Sequence, residues 1–511
     1  MSAQDYYQGA GAPQNGSQPD YGMQPKYTQQ PPQYGSQQPQ GGWSEKPTFD
    51  QAFKLEKPKY NDLWAAIFFI AIFAAFVAVS GITLNGYDQT IDFNGGIYGG
   101  GNTFGLSSNT VIGFAFVLVM AIVLSYAYIW LARLFTKQFI WTTGILNVVW
   151  GFATAIYMLS RKYWSGGIVF LLFAIFSLIC FISWRRRIPF SVLMLQTTVD
   201  VSKNYGHVYL VSFIGGFIAT AFAAWFSVTL VAIYVKYEPG NNPACNEGAG
   251  SCGTGKVIGL IVLVTFAAYY VSEVIKNVIH VTISGVYGSW YFCSNNFPRA
   301  ATRGAFRRAM TYSFGSISFG SLVVTIINCL RQICSIAQQS SAQDGNIVGV
   351  AFFCILQCFI GLLDWAVQFI NRYAFSHIAL YGKSYLQAAK DTWRMIKDRG
   401  IDALVNECLV GPVFSMGAMF VAFATAFLAY LYLVFTHPAY NANDEFTPVV
   451  VAFAFLIGLQ ICNTFTQPLS SGLETIFVAM AWDPEILMRD HPDLYARMVS
   501  VYPHVQQAIH A

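Results

Sequence analysis

The chain has 511 residues, 55% of them hydrophobic and only 11% charged, against the roughly 25% charged that soluble globular domains carry. That composition excludes a soluble globular protein and predicts an integral membrane protein. A net charge of +4 is too small, and the basic residues too clustered in loops, to indicate a nucleic-acid partner.

Taken from the start, residues 1–60 are rich in Gln, Pro, Gly, Tyr and Ser. Such a segment buries too little apolar surface to offset its ordering entropy, so a disordered tail is expected. Lys54, Lys57 and Lys59 precede the first apolar run and assign the tail to the cytosol. No cleavable signal peptide is read, and the first span is expected to target the chain.

Ten runs of about twenty mostly apolar residues follow, approximately 62–83, 110–132, 138–160, 163–184, 207–235, 256–285, 310–337, 347–371, 409–436 and 447–480. With the N-terminus inside, the cytosolic loops hold Arg133, Lys137, Arg185, Arg186, Arg187, Lys203, Arg299, Arg303, Arg307 and Arg308, then a second basic run from Arg372 to Arg399. The outer loops hold Asp88, Asp92, Glu238, Glu247, Asp344, Asp444 and Glu445 and almost no cations, Arg161 and Lys162 being the exception. The reading is an all-α polytopic bundle of about ten spans: tail 1–60, a transmembrane transporter domain 61–482, and a C-terminal segment 483–511, with both termini cytosolic. Residues 188–205 and 376–400 mix apolar and basic positions and suit amphipathic helices at the inner interface.

Cys245 and Cys252 share a short polar outer loop in an oxidising compartment, and a disulfide between them is expected. The other cysteines read as small apolar fillers, and Cys354 with Cys358 lacks the His or carboxylate that would complete a metal site. The Gly-rich residues 94–105 read as a flexible outer loop, since no Lys-Ser/Thr pair completes a phosphate cradle. No G-x-S-x-G, H-E-x-x-H or Cys-x-x-Cys occurs, so no catalytic residue, cofactor or enzymatic role is assigned.

The informative stretch is span six. At about 100° per residue, Tyr269, Glu273, Lys276, Asn277, His280, Ser284, Tyr287 and Tyr291 fall within an arc of roughly 100°. An ionisable group in a membrane costs about 2.5 kcal/mol or more, so the stripe is expected to face a cavity. Two alternatives stay open: Glu273 and Lys276 neutralise one another, or the stripe lies at the inner interface because the helix, ~54 Å long, overruns a ~30 Å hydrocarbon core. Arg331, Asp364 and Glu474 interrupt spans seven, eight and ten; Arg331 has either acid as a possible partner, with snorkelling to the outer surface as the alternative. Asp364 and Gln368 lie one turn apart beside Trp365, and a carboxylate with an aromatic face is what attracts a cation. The candidate substrate-binding residues are therefore Glu273, Lys276, Asn277, His280, Tyr287, Trp290, Tyr291, Asp364 and Trp365. Gly285, Gly288 and Pro298 are candidate bending points, with close packing as the alternative.

The stretch EVIKNVIHVTISGVYGSWYF, Glu273 to Phe292, resembles the signature helix of the choline-transporter-like family. FPRAATRGAFRRAMTYSFGSISFGSL around Arg303, INRYAFSHIALYGKSYLQAA around Arg372 and TIFVAMAWDPEILMRDHPDLY near the end agree with it, and together the resemblance covers about residues 60–503. The short first outer loop and Gln/Pro/Tyr-rich N-terminus look like the fungal branch. The resemblance implies a plasma-membrane solute carrier whose partners are membrane lipid and a small organic cation, choline or a relative. The alternative is a non-transporting membrane scaffold or sensor that acts through its cytosolic tail.

Overall fold

The computed structural model describes residues 59–85, 108–162, 164–237, 254–294, 297–398 and 408–501. Regular structure among them is helical throughout. The chain runs through α1 (Leu63–Leu84), α2 (Ser108–Leu134), α3 (Thr136–Ser160), α4 (Trp164–Trp184), α5 (Ile188–Asn204), α6 (His207–Tyr237), α7 (Thr254–Phe292) and α8 (Ala301–Met310). It continues through α9 (Phe314–Gln343), α10 (Ile347–Tyr381), α11 (Tyr385–Asp398), α12 (Val410–Thr436), α13 (Thr447–Trp482), α14 (Pro484–Asp490) and α15 (Pro492–Val501). Ten of the described helices are long and apolar enough to cross a membrane, so the chain is a multi-pass membrane protein. The expected disulfide between Cys245 and Cys252, the tail before Lys59 and the Gly-rich residues 94–105 lie outside the described residues.

Helices close in sequence pair as hairpins, α3 with α4, α6 with α7, α9 with α10 and α12 with α13. α7 packs against α1, α6, α8, α9, α10 and α13, which makes it the axis of the bundle. Its sequence explains the position. From His280 to Phe292 every residue but Trp290 is buried, and Ser284, Gly285, Gly288 and Ser289 are small enough to let neighbouring backbones approach. The face opposite the polar stripe therefore meets protein here, and α7 passes unbroken through Gly285 and Gly288.

Two local devices fix the bundle. Asp62 precedes α1 in a left-handed conformation, φ 52°, which Asp tolerates. Its carboxylate accepts a hydrogen bond from Ser316 Oγ at 2.7 Å and another from the Tyr385 amide at 2.8 Å, tying α1 to α9 and α11. In α13, Pro468 has no N–H to give the Thr464 carbonyl. Ser212 Oγ of α6 donates to that carbonyl instead, so the break is satisfied within the membrane.

Most loop cations, Arg161 and Lys162 excepted, gather at the end of the bundle where α1 begins, called the basic end below. α5 lies there against α3, α12 and α13. Sequence places this helix at an interface, but the structure buries Phe190, Leu193, Met194, Leu195, Val199 and Val201 together with Ser191, Thr197, Thr198 and Ser202. The hydroxyls remain satisfied by carbonyls of their own helix, as in Thr197 to Leu193 at 2.9 Å and Ser191 to Arg187 at 3.0 Å. Residues 376–381 complete α10, and Gly382, φ 62°, closes it by donating its backbone N–H to the Ile378 carbonyl. Only α11 beyond it is one-sided, with Leu386 and Trp393 exposed and Tyr385, Ala388 and Met395 buried.

Candidate functional site

Three helices supply the polar groups at the centre. From α7 come Glu273, Lys276, Asn277 and His280; from α10 come Arg372 and Ser376; from α13 come Gln467, Ser471 and Glu474. The signal on α13 is a second stripe, Gln460, Asn463, Gln467, Ser470 and Glu474, spaced i, i+3, i+7, i+10 and i+14 on one side of the helix, none of them fully buried. The span-six stripe alone does not reveal it.

His280 is the joint. Its Nε2 lies 3.1 Å from the Arg372 carbonyl, which only accepts, so Nε2 carries the proton and donates. In the neutral ring Nδ1 is then an acceptor, and Ser471 Oγ donates to it at 2.8 Å. Gln467 Nε2 donates in turn to Ser471 Oγ at 2.9 Å. Ser376 Oγ sits 3.3 Å from Nε2, and Glu474 Oε2 3.5 Å from Nδ1. A second proton on Nδ1 would make the Glu474 contact an ion pair. Next to this joint, Asn277 Nδ2 donates to Ser321 Oγ of α9 at 2.8 Å.

The charged groups lie within the long helices rather than in the loops. Arg372 and Glu474 precede the basic ends of α10 and α13 by eight or nine residues, roughly 12–14 Å of helix rise. Lys276 is nevertheless 54% exposed and lies 3.5 Å from Glu273, which is 18% exposed. Arg372 is exposed as well.

On the basic side of His280 the molecule is shut. Tyr287 donates its hydroxyl to the Thr198 carbonyl of α5 at 3.0 Å. Its ring lies flat on α13 because residue 472 is glycine, where a Cβ would come within 2.3 Å of the ring. Tyr291 donates to the Asp483 carbonyl at 2.9 Å, and Tyr381 to the Asp483 carboxylate at 2.6 Å. His491 closes the end: its Nε2 lies 3.1 Å from the Tyr291 carbonyl and its ring 4.5 Å from that of Trp290. Burial pulls the His491 pKa below the ordinary 6.5, against the opposing influence of the Tyr291 carbonyl and Asp490, so the neutral ring donates to that carbonyl.

The residues singled out in sequence thus divide into groups. Glu273, Lys276, Asn277 and His280 come together in one place. Tyr287, Trp290 and Tyr291 form the plug beyond them. Asp364 lies two turns from Arg372 and is occupied by Arg331 at 2.8 Å and by Gln368 at 2.8 Å. Of Arg331's two possible partners it is Asp364, which leaves Glu474 to His280. Trp365 is 66% exposed on the outside of the bundle, stacked on Phe369 at 5.9 Å, and does not share a face with Asp364. Among the described residues no three His, Cys, Asp or Glu side chains converge to hold a metal ion.

A family model described as plasma-membrane choline transporter matches residues 168–485. The chain is 63% identical over 468 residues to Protein PNS1 of Gibberella zeae, covering 91% of this chain and 87% of that protein. It is 63% identical over 466 residues to Protein PNS1 of Neurospora crassa, at 91% and 84% coverage, and 44% identical over 468 residues to Protein PNS1 of Saccharomyces cerevisiae, at 90% and 87%. With well over half of its length matched, the chain belongs to the choline transporter-like family of multi-pass membrane proteins.

Proposed function

We propose that the protein is a plasma-membrane carrier for choline or a related small organic cation, moved along a path bounded by α7, α10 and α13. The observation that carries this reading is the convergence of charged and polar groups from three spans, with Glu474 3.5 Å from His280 and the exposed cations Lys276 and Arg372 on the same helices. Ionisable groups within spans cost about 2.5 kcal/mol or more against hydrocarbon. A watery cleft removes that cost. Its polar wall is the α13 stripe, and its floor is the His280 joint.

The charges suit a cationic passenger. Glu273 and Glu474 offset Lys276 and Arg372, so the empty cleft is close to neutral. The Glu273–Lys276 contact is long and half exposed, worth about 1 kcal/mol at most, and a ligand cation can replace Lys276 beside the carboxylate. Tyr269, one turn before Glu273 on the same stripe, offers a ring face to a quaternary ammonium. With the N- and C-termini in the cytosol, as the distribution of loop cations indicates, the plugged end is the cytosolic one, and release to that side requires Tyr287, Tyr291 and His491 to part.

The test is uptake of radiolabelled choline by proteoliposomes holding the purified chain. Saturable uptake inhibited by unlabelled quaternary amines is expected. Folded protein that takes up none of a panel of organic cations would overturn the reading.

A further inference from the structure

The wall formed by α3, α4 and α12 holds a shallow groove of about 100 Å³ that plays no part in the proposed path. Its lining comes from one side of each helix: Ile140, Gly144 and Val148 on α3, Phe176 and Phe181 on α4, and Val413 on α12. Phe176 is strongly exposed and Val148 partly so, which opens the groove sideways, toward lipid. Gly144 lets α3 and α4 approach, since a Cβ there would come within 2.2 Å of the Phe181 ring.

The groove has one charged end. Trp184 and Ile188, which also line it, flank the tight turn Arg185–Arg187. Arg185 and Arg186 are exposed on that turn. Lys137, also exposed, stands one turn before Ile140 on the same side of α3, so it points to the same end. Acids are remote in sequence: no Asp or Glu occurs between Asp92 and Asp200. An apolar groove that opens sideways between helices and has exposed cations beside one end is complementary to one kind of molecule.

We propose that this groove is a binding site for an anionic phospholipid, the first part of an acyl chain lying against Ile140, Val148, Phe176 and Val413 and the headgroup phosphate on Lys137, Arg185 and Arg186. Phosphate at a membrane surface is attracted by each nearby Lys or Arg, whereas a phosphatidylcholine headgroup carries a compensating positive charge and gains much less. The site is separate from the transport path and does not depend on what is carried.

The experiment uses the full chain in nanodiscs of mixed phosphatidylcholine and phosphatidylserine, with the retained lipid counted by native mass spectrometry. The wild type is expected to retain phosphatidylserine above its share of the bulk. Arg185→Ala with Arg186→Ala should reduce that preference, by about fivefold for each cation removed. Val148→Trp, which fills the slot and leaves the cations in place, should reduce it as well, and thermal unfolding of each variant checks the fold. Retention at the bulk ratio in the wild type would mean annular lipid only and would overturn the proposal. Loss in the arginine variant with full retention in Val148→Trp would also overturn it, because attraction would then come from surface charge alone.

Discussion

At the scale of single residues, His280 is held in one tautomer by a carbonyl that cannot donate, and everything else in the joint follows from that. Glu474→Gln keeps the shape of the side chain and removes the charge facing His280 and the cleft. The expected result is uptake reduced by about tenfold or more with little change in thermal stability, since a single well-placed charge is worth at least about 1.4 kcal/mol to a desolvated cation. Asp364→Ala should behave in the opposite way. It strands Arg331, whose side chain is 45% exposed and so still reaches water, and the cost should be about 1–3 kcal/mol in stability, read as a lower Tm in detergent, with uptake retained. Charge and helical spacing made Glu273, Lys276, Asn277 and His280 legible as a group. The same rules could not pair Arg331, because Asp364 and Glu474 are equal candidates until the order of helices around the bundle is known.

At the scale of elements, α13 and α5 show what hydrophobicity leaves unsaid. α5 is half apolar, and lipid and protein interior are equally apolar solvents for such a helix. Its sequence therefore reads the same whether it floats at an interface or, as here, is packed under Tyr287. The Gly472 contact is the test of that packing: Gly472→Val should drive Tyr287 off the Thr198 carbonyl and lower stability by several kcal/mol, whereas Tyr287→Phe, which loses only the hydrogen bond, should cost about 1 kcal/mol. Both are read by thermal unfolding. The C-terminal contact has a pH dependence of known sign. Because His491 is held neutral, with its pKa below 6.5 in the folded chain, its contribution is present above the unfolded value and is lost as pH falls below about 6.5. Proteolysis within α14 and α15 should accelerate between roughly pH 7.5 and 5.5, and His491→Gln should flatten that dependence.

At the scale of the whole molecule, the bundle is a multi-pass membrane protein whose α7 meets charged and polar groups of α10 and α13 near its middle and is buried beyond them. The number of spans was readable because about twenty apolar residues are needed to cross hydrocarbon, whereas the helix ends were not, since α7 and α10 run on to Phe292 and Tyr381, seven to ten residues past their apolar runs. What sequence leaves unread is which helix neighbours which, and for that reason Trp365, credible beside Asp364 along the chain, lies on the outer wall while Glu474, distant in sequence, meets His280. The most direct test of the transport path compares radiolabelled choline uptake by proteoliposomes of the wild type, Glu474→Gln and Asp364→Asn at equal amounts of folded protein. The path along α7 and α13 predicts saturable uptake in the wild type, near-complete loss in Glu474→Gln and substantial uptake in Asp364→Asn. Undiminished uptake in Glu474→Gln, or loss confined to Asp364→Asn, would contradict it.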